Sequence, residues 1–282
     1  MQAPLPSIAV AVFPERSDDH YASVKAQTNR EVRVLGEGYA YEWDSDQDDC
    51  DIRLDGADVA VLPKDGRRKS LLICDMDSTL IGQECIDELA DFAGVKDRVS
   101  AITERAMRGE IGFEGALRER VGLLESLPES VIEECYRERI RLNPGAEVLA
   151  KTMAASGAKT VIVSGGFTAF SAKVARAAGF RDHQANVLLA EDGRLTGKVA
   201  EPILGRDAKR DALLEHSGGK PETAIAIGDG ANDLAMIQAA GMGVAYRAKP
   251  AVAAAAGYAI ETTDLRTALF YQGYNESEFV EG

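Results

Sequence analysis

Three apolar runs in this chain end in polar side chains: Ser70–Asp75 (S-L-L-I-C-D), Thr160–Ser164 (T-V-I-V-S) and Thr223–Asp229 (T-A-I-A-I-G-D). A continuous apolar run of that length reads as a strand buried on both faces, as in a parallel sheet. Helix-like segments follow the second and third runs, at Phe167–Ala178 and Asn232–Ala239. Gly243–Tyr246 and Tyr258–Glu261 offer two more strands around an alanine-rich helix. Strand alternating with helix predicts an α/β fold, a Rossmann-like doubly wound parallel sheet. In such sheets chemistry gathers at the carboxyl ends of the strands. The three polar strand ends are therefore expected to share one crevice.

Between the first two runs lie about eighty residues without a convincing strand. Apolar residues recur at three- and four-residue spacing over Gln83–Phe92, Val95–Arg108, Phe113–Leu124 and Glu129–Arg141, which predicts four helices. Inserted directly after a strand that ends in carboxylates, they are placed to act as a cap. Gln184–Val199 carries Glu191-Asp192-Gly193-Arg194 between apolar runs, a hairpin signal. The expected division is an accessory region over 1–68, a core made of 69–81 and 144–282, and a helical cap over 82–143.

The accessory region reads as a small α+β domain with strands at Ile8–Phe13, Val32–Leu35 and Val59–Leu62. It holds an acidic cluster of Asp44, Asp46, Asp48, Asp49, Asp51, Asp55 and Asp58, without the regular spacing of a cation loop. A solvated acidic loop is the expectation there. Lys64 to Lys69 reads as a polar linker.

The chain carries a formal net charge of −14 and a pI near 4.8. Such a surface repels polyanions, so nucleic acid and anionic membrane are poor partners. A small anion remains admissible, because one metal and a few cations can reverse the field inside a pocket. Ile8–Phe13 and Ala251–Ile260 are too short for a signal-peptide core or a membrane span. Cys50, Cys74, Cys85 and Cys135 show no metal-ligand spacing; buried free thiols in a cytoplasmic protein are the expectation.

The strand ends supply a coherent set of groups. Asp75 and Asp77 stand two residues apart after the first strand. Ser164, Gly165 and Gly166 follow the second, where glycine leaves backbone N–H groups open to an anion. Asp229 and Asp233 flank Gly230-Ala231-Asn232 after the third, and Lys209 opens the helix before it. Phosphoryl transfer needs in-line positioning and charge neutralisation on three oxygens. A carboxylate can act as its nucleophile, and magnesium favours oxygen ligands. His20, His183 and His216 stand apart from these motifs, so Asp77 is left for acid–base work. Taken singly, D-x-D-x-T occurs by chance and S-G-G is mostly a turn. G-D-G-A-N-D makes a poor structural turn, and the three in this order favour chemistry.

These residues resemble the motifs of the haloacid dehalogenase superfamily, over residues 70 to about 260. Asp75 to Ala93 (D-M-D-S-T-L-I-G-Q-E-C-I-D-E-L-A-D-F-A) is further similar to the phosphoserine phosphatase family through its first cap helix, and Phe113–Val121 resembles that family's cap. The resemblance implies a magnesium-dependent phosphatase acting on O-phosphoserine in serine biosynthesis through an aspartyl phosphate. It implies that Asp75 is nucleophile and metal ligand, and that Asp77 is the general acid/base and gives the metal its backbone carbonyl. Ser164, Gly165 and Lys209 would hold phosphate, and Asp229 would complete the metal site. Asn232, Asp233 and Thr79 would support phosphate and metal. Glu84 and Arg120 would take the substrate's ammonium and carboxylate, with Met107 and Phe113 as an apolar lid. A phosphotransferase that passes phosphate to homoserine or another small alcohol fits the same motifs; a non-catalytic amino-acid sensor with a relic site is a third reading, disfavoured because every motif residue is present. A monomer or homodimer is expected.

Overall fold

The computed structural model describes residues 7–45, 54–108 and 110–281. It opens with β1 (Ser7–Val12), α1 (Asp18–Thr28), β2 (Val32–Gly36), β3 (Ala40–Ser45) and β4 (Asp58–Pro63). The four strands form an antiparallel sheet in the order β2-β3-β1-β4. Ser17 caps α1, its hydroxyl accepting from the Asp19 N–H at 3.2 Å. Neither α1 nor β3 is among the elements expected from sequence. Only Val24 and Thr28 of α1 are buried, so it lacks an apolar stripe. In β3 the charged Glu42 and Asp44 interrupt the apolar residues.

Asp58 corrects one expectation. It is no solvated loop acid but a buried anchor at the start of β4. Its carboxylate accepts from the backbone N–H groups of Glu261, Thr262 and Thr263 at 2.9–3.2 Å and from the Thr263 hydroxyl at 2.5 Å. Asp44 pairs with Arg33 and Lys64. Asp46, Asp48, Asp49, Asp51 and Cys50 lie outside the described residues.

The chain then enters β5 (Leu71–Cys74) and leaves for four helices, α2 (Cys85–Phe92), α3 (Lys96–Met107), α4 (Phe113–Gly122) and α5 (Ser130–Arg139). Exit and return run side by side. Ile81 bridges Leu142, the Gly82 N–H donates to the Arg141 carbonyl, and the Asn143 N–H donates to the Leu80 carbonyl. The remainder is α6 (Ala146–Ala155), β6 (Lys159–Phe167), α7 (Thr168–Ala178), β7 (Asp182–Asn186), the hairpin β8 (Leu188–Glu191) and β9 (Arg194–Val199), α8 (Arg206–His216), β10 (Ala224–Gly228), α9 (Leu234–Ala239), β11 (Met242–Tyr246), α10 (Pro250–Ala255), β12 (Tyr258–Ile260) and α11 (Thr267–Tyr271). Asp192 and Gly193 turn the hairpin with φ of 49° and 71°, the conformation a two-residue primed turn requires.

Six strands form a parallel sheet in the order β12-β11-β10-β5-β6-β7. Its alternate faces are both covered. Leu71 and Ile73 pack with Ala212 and Leu213 of α8 and Met236 of α9. Leu72 and Cys74 join Leu149 and Met153 of α6 and Phe170 and Val174 of α7. This explains the unbroken apolar runs, since the apolar side chains of β5, β6 and β10 are all buried. β5 lies between β10 and β6, whose connections run to opposite sides, so its C-terminal end opens on the crevice of the sheet. One boundary differs from expectation: β6 continues through Gly165 and Gly166 to Phe167 instead of stopping at Ser164. Cys74, Cys85 and Cys135 are buried free thiols.

Candidate active site

The ends of β5 and β10 deliver the carboxylates, and β6 delivers Ser164. β5 ends at Asp75, whose N–H donates to the Ile227 carbonyl of β10 and so locks the two strands together at their tips. The chain then turns tightly. The N–H groups of Thr79, Leu80 and Ile81 converge on the Met76 carbonyl, and Ser78 adopts a left-handed φ of 56°. That turn lets Asp77 face the same cavity as Asp75 despite their spacing of two residues. The Thr79 hydroxyl donates to Asp229 at 3.1 Å, linking this turn to the end of β10. Asn143, on the returning strand of the cap, donates to the Thr79 carbonyl at 2.8 Å and steadies that link.

Lys209 reaches up from α8 with only 1% of its side chain exposed. Its ammonium lies 2.6 Å from Asp75 and 2.5 Å from Asp233. Burial alone would lower the lysine pKa, but the two carboxylates outweigh it and leave the pKa raised. Lys209 therefore stays a cation. Asp233 also accepts from the Gly230 N–H at 3.0 Å. A side chain at Gly228 would collide with Asp233, since its Cβ would lie 2.4 Å from the carboxyl carbon. This is why β10 ends in glycine.

Ligand atoms from Asp75, Asp229 and Asp233 lie within 4.8 Å of one another. Burial and the repulsion of Asp75 raise Asp229, and the same two causes push Asp233 up to about 7 despite Lys209. Three oxygen-donor carboxylates crowded at this cost suit a hard divalent cation. Asp77 is raised well above the carboxylate range, first by burial and then by Glu84 and Asp75. Its buried Oδ1 has no hydrogen-bond partner.

Asp75, Asp77, Ser164, Gly165, Asp229 and Asn232 from the core and Glu84, Phe113 and Arg120 from the cap line one cavity of about 140 Å³. Glu84 accepts from the Ser78 hydroxyl at 2.6 Å and is raised by burial and by neighbouring carboxylates. Arg120 is half-buried and forms no ion pair among the described residues. Burial lowers its pKa, opposed by Asp87, Glu84 and Asp77. Phe113 is 39% exposed and sits over the Ser164–Gly166 segment, where a Cβ on Gly165 would come within 3.2 Å of its ring. Met107 closes α3, and its side chain lies outside the described residues.

The histidines are engaged elsewhere. His20 stacks on Phe13 at 3.8 Å, His183 meets the Ser171 hydroxyl at 2.9 Å, and His216 meets Gln184 at 2.9 Å. Sequence reasoning missed Cys85, which packs against Asp77 and whose buried thiol is pushed up by burial and by that carboxylate. It also missed Asn143. Cys85 lies within the quoted Asp75–Ala93 segment and Asn143 in no motif, and for both only the fold brings the side chain to the site.

The family model for haloacid dehalogenase-like hydrolases matches residues 72–238, and a second model of the same description matches 209–269. Over 199 residues the chain is 45% identical to a phosphoserine phosphatase of Archaeoglobus fulgidus, a match that takes in 69% of this chain and 58% of that relative's length. It is 46% identical to a phosphoserine phosphatase of Albidiferax ferrireducens over 69% of this chain and 86% of that protein. Among solved structures, a phospho-aspartyl intermediate analogue of a phosphoserine phosphatase superposes with a TM-score of 0.66 at 40% identity, over 72% of this chain and 99% of that one. The chain belongs to the haloacid dehalogenase-like hydrolases and, within them, to the phosphoserine phosphatase family.

Proposed function

We propose that this protein hydrolyses O-phosphoserine to serine and phosphate, with magnesium as its metal. The observation that carries this reading is one cavity lined both by Asp75, which lies beside a buried lysine and further carboxylates, and by Glu84 and Arg120 of the cap, the latter without an ion pair among the described residues. A phosphorylated amino acid would present its phosphate to the core groups and its ammonium and carboxylate to Glu84 and Arg120. The relatives named phosphoserine phosphatase support the same substrate.

An Asp75 oxygen attacks phosphorus while Lys209, the Ser164 hydroxyl and the Gly165 backbone neutralise the phosphoryl oxygens. Asp77, whose proton affinity is raised by burial, Glu84 and Asp75, donates to the departing serine oxygen. The resulting carboxylate then takes a proton from the water that attacks the aspartyl phosphate, which releases phosphate and restores Asp75. Asp75, Asp229 and the Asp77 carbonyl would hold the cation. Asp233, already engaged by Lys209 and Gly230, and Asn232 would steady its surroundings. When bound, the cation would supply positive charge that offsets the carboxylates and the phosphoryl oxygens.

The same reading makes 82–143 a cap hinged at the Ile81–Leu142 bridge, with 69–81 and 144–282 as the core and 1–68 as an accessory domain. Phe113, with Met107, would exclude water while the cap is shut. No helix among the described residues is long and apolar enough to cross a membrane, in keeping with work in the cytoplasm. Phosphate release from a panel of phosphomonoesters tests the reading. O-phosphoserine should be preferred over aryl and sugar phosphates, and equal turnover of all of them would remove the substrate assignment.

A further inference from the structure

The Ser164–Gly166 segment has an unusual backbone setting. On β6 and β7, Val163 lies opposite Gln184 and Phe167 opposite Asn186, with a register shift between. Four steps along β6 thus match two along β7, and regular pairing is interrupted over Ser164, Gly165 and Gly166 on that side. Backbone polar groups withdrawn from water need partners. Asn186 supplies one. It is the last residue of β7 and only 3% exposed. Its Nδ2 donates to the Gly165 carbonyl at 2.9 Å and to the Leu204 carbonyl at 3.4 Å, and its Oδ1 accepts from the Leu204 N–H at 2.7 Å. With a donor needed on one side and an acceptor on the other, the amide has only one workable orientation.

We infer that Asn186 is a positioning residue for the phosphoryl-binding segment, acting through Gly165 and Leu204 on the groups that meet phosphate. The inference rests on the phosphatase reading above. The peptide between Gly165 and Gly166 is planar, so its carbonyl and N–H point in opposite directions. Holding the Gly165 carbonyl toward Asn186 turns the Gly166 N–H the other way, where it donates to the Ser164 hydroxyl oxygen at 2.9 Å. That bond aims the Ser164 side chain into the cavity. On its other side the same carboxamide grips Leu204, one residue before Gly205, the N-cap of the helix that carries Lys209. Gly205 in turn lies beneath Phe113, within 3.7 Å of its ring for an added Cβ. One buried amide therefore sets the spacing between the serine side and the lysine side of the phosphate site. A carboxamide tying two backbone segments could be structural alone, and that alternative predicts a different outcome.

The experiment compares Asn186→Asp and Asn186→Ala with the wild-type protein in magnesium, below the unfolding midpoint of each variant. Aspartate keeps the shape and the acceptor for Leu204 but turns both donations into contacts between acceptors. We expect kcat/KM to fall on the order of 10²-fold on O-phosphoserine and equally on an aryl phosphate. Calorimetric affinity for inorganic phosphate should weaken roughly tenfold, the worth of about one aligned hydrogen bond, while serine affinity stays within about twofold. Asn186→Ala should move the same constants in the same direction by a smaller factor, and it decides the matter if the aspartate variant does not fold. Wild-type phosphate affinity and turnover in either folded variant overturns the inference. So does a loss shared equally by phosphate and serine, which marks general loosening. Absence of phosphomonoester turnover by the wild-type protein would instead overturn the functional reading, and the phosphate calorimetry would still judge Asn186.

Discussion

Lys209 holds its ammonium 2.6 Å from the carboxylate of Asp75, with 1% of the lysine side chain and 7% of the aspartate side chain exposed. The proposed nucleophile is therefore matched to a cation before any metal or substrate arrives, and Asp233 shares the same ammonium at 2.5 Å. Two carboxylates against one ammonium leave a negative excess that a divalent ion can balance.

Lys209→Met should remove both the phosphate contact and the only cation in contact with Asp75 among the described residues. We expect kcat to drop on the order of 10²–10³-fold. Stability in chelator should fall by roughly 3–5 kcal/mol, as for other buried pairs broken on one side. Steady-state kinetics and urea unfolding measure the two effects. An unchanged midpoint would show that the buried pair contributes nothing net to stability.

Asp75→Asn preserves size and removes the attacking oxygen's charge. Phosphate release from O-phosphoserine should fall by more than about 10⁴-fold, and no phosphorylated protein should survive an acid quench. Turnover above about one per cent of wild type rules out Asp75 as the nucleophile.

The raised carboxyl groups give a pH test with a definite sign. Asp233 titrates near 7 in the metal-free fold, and Asp229 is raised as well. Between the ordinary carboxylate range and about pH 7 the folded protein holds protons that the unfolded chain has released. Stability in chelator should thus decline as pH rises through that window. Magnesium competes with those protons, so its gain in melting temperature should be larger at pH 7.5 than at pH 5. Equal gains at both pH values count against Asp229 and Asp233 as the cation's surroundings.

Arg120→Ala should separate substrate from chemistry. A lost charge-assisted bond to the amino-acid carboxylate costs roughly 10–100-fold in kcat/KM on O-phosphoserine. An aryl phosphate, which has no carboxylate, should lose only a few-fold. Parallel losses on both substrates would return Arg120 to a structural role.

Asp58→Ala addresses the joint between the two sheets. Three backbone N–H groups and one hydroxyl lose their acceptor, which should cost about 3 kcal/mol in chemical unfolding. KM for O-phosphoserine should stay the same at temperatures where the variant is folded.

Much of the core was legible because its signals are local. β5, β6 and β10 are buried on both faces, so their apolar runs are continuous and their polar ends conspicuous. The four cap helices showed in three- and four-residue spacing, and Asp192-Gly193 announced its hairpin. The pattern faded where burial is slight or takes in polar side chains: α1 hides two residues, and β3 buries Glu42 and Ser45 among its apolar residues. Asp58 read as one acid among many, because nothing near it in sequence reveals the N–H groups of residues 261–263 that surround it.

By itself, then, the order of residues determined the sheet, the crevice at its carboxyl edge and the groups that line it, since strand burial and motif spacing are properties of neighbouring residues. Tertiary structure alone decided which of those groups touch. Lys209 and Asp75 are 134 positions apart, and their 2.6 Å contact exists only because α8 packs beneath the tip of β5. The same holds for Asn186 on Gly165 and for Arg120 over the cavity. Pairing, burial and the resulting shifts in proton affinity depend on distances that only the folded chain sets.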